Sequence, residues 1–145
     1  MKFFSRFVLS TLFAAAALAQ NVYIASPAAG SSVTPGSDIT VEVSQPDGQS
    51  SWVESALVLG WWPCDGSSED PCLPASEVLG ELLYNGGPFK PTFYNTENVI
   101  SQNITVNIPS STPAGYALLQ VAHFVLVGAE LGPVVQTFSV NLTVV

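Results

Sequence analysis

Val33-Thr34-Pro35-Gly36-Ser37-Asp38-Ile39-Thr40-Val41-Glu42-Val43-Ser44 decides the fold class. Pro35-Gly36 is a turn signal, because proline presets one backbone angle and glycine accepts the positive φ that closes many turns. Beyond it Ile39, Val41 and Val43 alternate with Thr40, Glu42 and Ser44, the period of two that puts one face of a strand in a core and the other in water.

Working outward, the same rhythm recurs. Val22–Ala25, Glu54–Trp62, Val78–Tyr84, Val99–Ile108, Gly115–Val127 and Val134–Val144 read as further strands. Between them lie turn-rich connections, among them 44–51, Asn85-Gly86-Gly87-Pro88, an aromatic-bearing segment Phe89–Asn98, and Pro109–Gly115. About seven short strands and no helical pattern predict an all-β domain, an immunoglobulin-like antiparallel β-sandwich, with a small Greek-key barrel as the alternative.

The N-terminus predicts export. Lys2 and Arg6 precede an apolar run from Phe7 to Leu18, closed by Ala17-Leu18-Ala19, which is the layout of a secretory signal peptide cut after residue 19. That run falls short of the roughly 20 residues a membrane-spanning helix needs. The ending Phe138–Val145 alternates like a strand and unlike a lipid-anchor signal, so the expected product is residues 20–145, one domain, secreted and extracellular, in an apoplast or a cell wall.

Cleavage after residue 19 removes two of the three basic side chains. Eleven Asp and Glu then face Lys90 alone, a formal charge of −10. Such a surface repels nucleic acid and anionic membranes, both held chiefly through Lys and Arg. No nucleic-acid partner and no membrane insertion are expected; a basic partner suits it better.

In an oxidising compartment Cys64 and Cys72, separated by Asp65-Gly66-Ser67-Ser68-Glu69-Asp70-Pro71, are expected to form one short disulfide within a loop. The acceptor triplets Asn103-Ile104-Thr105 and Asn141-Leu142-Thr143 predict N-glycosylation, and in both strands the asparagine falls on the outward phase.

No catalytic set is visible. His123 is the one histidine, inside the most apolar strand, and reads as a core histidine satisfied by a carbonyl or hydroxyl; no nucleophile-elbow serine occurs. The acidic loop Asp65–Asp70 lacks the spacing of an EF-hand and reads as solvated, so neither a metal nor a cofactor is expected. Trp61, Trp62, Phe93 and Tyr94 are the candidate binding residues, since aromatic rings bring large contact area at small entropy cost. Adjacent Trp61 and Trp62 point to opposite faces of a strand, so one belongs to the core.

The segment Val78-Leu79-Gly80-Glu81-Leu82-Leu83-Tyr84-Asn85-Gly86, the strand Asn103–Pro109, the run Gly115–Ala129 and the ending Phe138–Val144 resemble the necrosis-inducing secreted protein family of fungal effectors, the NIS1-like family. The resemblance implies a fungal, exported, non-enzymatic virulence protein that modulates plant immunity or cell death through host receptor-like kinases. The opening Ile24–Val41 is similar to yeast cell-wall synthesis Kre9/Knh1-like domains, which implies instead a wall-associated or carbohydrate-binding structural module whose partner is a fungal cell-wall glycan.

Overall fold

The computed structural model describes residues 21–47, 51–94 and 98–145, without side-chain detail at 93 and 94. The expected signal peptide lies outside the described residues. The chain is all-β, with nine strands among those residues: β1 (Tyr23–Ser26), β2 (Ser32–Val33), β3 (Asp38–Pro46), β4 (Trp52–Cys64), β5 (Glu81–Asn85), β6 (Phe93–Tyr94), β7 (Val99–Asn107), β8 (Gly115–Val127) and β9 (Gly132–Val144).

They form two sheets, a four-stranded one in the order β1-β3-β7-β6 and a five-stranded one in the order β2-β9-β8-β4-β5. Val41, Val43, Ile104 and Val106 of the first sheet and Leu57, Leu59, Trp61, Leu119, Val121 and Leu142 of the second share one core. Leu59 is fully buried, and truncating such a leucine to alanine costs about 2–5 kcal/mol.

The alternating stretch that announced the fold behaves as its rhythm requires. Gly36 takes φ 77°, Ser37 N–H donates to Thr34 O at 3.1 Å, and β3 then buries Val41 and Val43 while exposing Asp38 and Thr40. Beyond Val43 the alternation stops: Ser44 is buried as well, its hydroxyl paired with that of Ser101 at 2.7 Å, as a buried hydroxyl requires.

Other details also differ from the sequence reading. Nine strands replace about seven, because β2 and β6 are two residues long and too short to show a period. The Phe89–Asn98 connection therefore carries a strand. The pairing of β2 with β9 is parallel, whereas every other pairing is antiparallel. The strand expected from Val78 starts only at Glu81, since Gly80 turns at φ 72°. Phe138, in phase with the buried Val140 and Leu142, is 40% exposed; it lies on β9 where no described strand covers the outer edge, because β2 pairs only with Thr143 and Val144.

Candidate functional site: the outer face of the five-stranded sheet

Register assigns the side chains of β4, β8 and β9 to two faces. Leu57, His123 and Gln136 lie abreast, as do Leu59, Val121 and Phe138, and Trp61, Leu119 and Val140; these rows face the core. The intervening rows face outward: Ala56 with Phe124 and Val135, Val58 with Ala122 and Thr137, Gly60 with Gln120 and Ser139, and Trp62 with Leu118 and Asn141. This outer face is largely apolar, which a sheet tolerates only when something covers it.

The cover is the chain's own segment between β4 and β5. The disulfide Cys64–Cys72 closes its first part, with Cα atoms 5.1 Å apart. Trp62 Nε1–H donates to Pro71 O at 3.1 Å, and Ala75 N–H donates to Ser139 Oγ at 3.2 Å. Ser139 in turn donates to Gln120 Oε1 at 3.1 Å, while Gln120 Nε2 is buried without a partner. The segment then crosses β4 at Gly60, so close that a Cβ there would lie 2.0 Å from Leu79 O. Gly80 meets β4 as tightly, its notional Cβ 2.1 Å from Trp61 O. Two glycines thus let two backbones touch where side chains would hold them apart.

Between loop residues 75–79 and the sheet residues Ala122, Phe124, Val135 and Thr137 a groove of about 430 Å³ remains. Its floor is apolar, with Phe124 39% and Val135 56% exposed, and Val53 stands exposed on the same face. Glu77 contributes a carboxylate to the lining.

On the core face, a β-bulge between Glu54 and Ala56 brings Glu54 abreast of Val125, inward beside His123. His123 Nε2 contacts Glu54 Oε2, and Nδ1 lies 3.1 Å from Gln136 Oε1. Gln136 Oε1 also accepts the Val22 N–H at 3.2 Å. Phe89, buried, meets the ring edge-on at 5.8 Å. His123 is a core histidine as expected, but a carboxylate and an amide satisfy it in place of a carbonyl or hydroxyl. Glu54 Oε1 is buried without a partner.

In the acidic loop, Ser67 N–H donates to Asp65 Oδ1 at 2.7 Å, and hydrogen bonds from Ser67 hold the Asp65 carboxyl below its ordinary value. No cluster of three or more His, Cys, Asp or Glu suited to a metal occurs among the described residues. No helix among them is long and apolar enough to cross a membrane.

The four aromatic candidates do not converge. Trp61 is fully buried, its Nε1–H donating to Thr112 Oγ1 at 3.1 Å; it is the core member of the pair and has no surface to offer, so its place among the binding candidates is corrected. Trp62 is half-buried on the outer face under the disulfide loop. Phe93 and Tyr94 form β6, at the edge of the other sheet, opposite Ser101 and Ile100. The acceptors Asn103 and Asn141 are both exposed, on the phase their strands assigned. Sequence reasoning missed Phe124 and Val135. A signal was present: β8 is apolar on both phases, the composition of a strand covered on two sides.

Residues 17–143 match a family model described as the Nis1 family. No curated protein matches the chain.

Proposed function

The chain belongs to the Nis1 family, and from that premise we propose that it is an exported, non-enzymatic effector that binds host plant proteins of the receptor-like kinase pathway and so modulates immunity or cell death. The observation that carries the binding reading is the outer face of the five-stranded sheet, where an apolar groove remains open beside a tethered loop. Exposed rings and branched side chains in a concave setting suit protein contact.

The fold reading is an immunoglobulin-like sandwich. Its support is the strand order: an opening strand divided between the two sheets, then β3, β7 and β6 on one side and β9, β8, β4 and β5 on the other. Export is supported by the N-terminal sequence and by a disulfide, which persists in oxidising compartments. Glycans on Asn103 and Asn141 are compatible with both acceptors being exposed. A flat exposed platform of Trp62, Phe93 and Tyr94 would favour the wall-module alternative, but their strands belong to different sheets.

The test immobilises the processed protein and offers it plant membrane extract and isolated fungal wall side by side. Enrichment of receptor-like kinases by the native protein, lost with Phe124→Asp, is the expected result. Retention on insoluble glucan or chitin, unchanged by that substitution, overturns the proposal.

A further inference from the structure

One side of β9 is committed along its whole length, since Gly132 to Val144 pair with Val127 to Gly115 without a register shift. The other side is engaged only at its C-terminal end. There Gly30 N–H donates to Asn141 O at 2.7 Å, Thr143 N–H to Ser31 O at 2.9 Å and Val145 N–H to Val33 O at 3.0 Å. Odd-numbered residues of β9 therefore turn their backbone groups toward this edge, and strand alternation directs those of Val135, Thr137 and Ser139 the same way. Among the described residues no strand pairs with them there.

Sheet edges are normally guarded by lysine, bulges, proline or brevity. This one is long and has no bulge. From Val134 to Val140 it carries no charge, and its proline, Pro133, stands at the very end. Apolar side chains flank it on both faces: Val135 outward, Val134 and Phe138 on the core phase, all at least 40% exposed. We infer that the β9 edge at Val135–Ser139 is a strand-addition site, which takes an extended, uncharged, β-branched segment of a partner protein flanked by basic residues.

The backbone chemistry sets the class of occupant: a row of outward N–H and C=O groups is satisfied along its length by another extended chain. Charge sets its flanks. Glu77 lines the groove beside Val135 and Thr137, and Glu130 stands exposed in the turn just before Gly132. A second copy of this chain is the disfavoured occupant, because it brings the same strongly negative surface to the contact. The inference rests on the effector reading only for the partner's identity; the edge and its chemistry belong to this chain.

The probe is a synthetic peptide alternating Val and Thr with Lys at each end, added to processed protein at increasing concentration. Amide hydrogen exchange read by NMR is expected to slow at least about tenfold at Val135, Thr137 and Ser139, with no change at the β5 edge, Glu81–Asn85. The same peptide N-methylated on alternate residues leaves those rates unchanged. Thr137→Pro removes one outward donor at a position where an edge strand accepts proline, and weakens the peptide about tenfold or more. Val135→Lys, which leaves the backbone intact, weakens it through repulsion of the basic flanks. Absence of protection, protection at β5 instead, or protection that grows with protein concentration in the absence of peptide would each overturn the inference. If host kinases bind native and Thr137→Pro proteins alike, the edge proposal falls while the effector reading stands. If the peptide protects this edge but no plant protein is retained, the effector reading falls and the edge remains.

Discussion

Gly60→Ala tests the crossing of loop over sheet on which the outer face depends. Alanine at a compatible strand position normally stabilises by about 0.4–1 kcal/mol, because it restricts the unfolded chain. Here the new methyl would lie 2.0 Å from Leu79 O and 2.8 Å from Leu79 C, both backbone atoms. Even a close carbon–oxygen contact is about 3.3 Å, so the loop must retreat by more than about 1 Å. Overpacking of this kind costs about 1–3 kcal/mol. The net is a loss of roughly 1–2 kcal/mol, a fall in Tm of about 3–10 °C at this chain length, followed by thermal unfolding under tryptophan fluorescence. The disulfide supplies an internal check. Closing its loop is worth about 2.5 kcal/mol by chain entropy, and replacing both cysteines by serine frees the start of the same segment. In that background the Gly60→Ala penalty shrinks by at least about 0.5 kcal/mol, the coupling expected of neighbours that share a backbone shift. A Tm equal to or above that of the native protein refutes the reasoning, since it means the loop does not press on β4.

Trp61→Phe removes the indole N–H that reaches Thr112 Oγ1 and leaves space in the core; chemical denaturation should show a loss of about 2–3 kcal/mol, whereas Trp62→Phe, half-buried, loses less. Asn103→Gln and Asn141→Gln should each remove one discrete mass step from protein secreted by a eukaryotic host, without lowering Tm, because both side chains are exposed. The Asp65 carboxyl titrates below its ordinary value because Ser67 hydrogen-bonds its charged form. Its small stabilising effect is therefore present above the unfolded-state value and lost as pH falls through the folded one; Ser67→Ala should move its carbon-13 titration midpoint upward.

The sequence was legible where one period ran unbroken. Ile39, Val41 and Val43 foretold β3, and Ile104 and Val106 foretold β7 with its outward Asn103, because each side chain's face follows from its parity. The bridge between Cys64 and Cys72 followed from the expectation of export and from short spacing. Legibility ended where a local feature broke the count. Parity from Leu57 puts Glu54 outward; the bulge before Ala56 turns it inward to His123, and nothing in the letters marks that bulge. The fit of Gly60 against Leu79 joins residues whose contact depends on where the loop lands. Phe124 and Val135 were hidden differently, since apolar residues on both phases of a strand signal cover without naming it.

The short parallel pairing of β2 with β9 has a mechanical consequence. β2 runs in the same direction as β9, so a pull back along the chain on β2 and a pull forward along it on β9 slide these strands past one another. The contacts of Gly30, Ser31 and Val33 with Asn141, Thr143 and Val145 are then loaded together, as rivets are in shear, and none is peeled ahead of the others. Pulled from its ends, the domain would bring this patch under load once β1 has parted from β3, and cutting the chain between Gly30 and Val33 would remove that resistance.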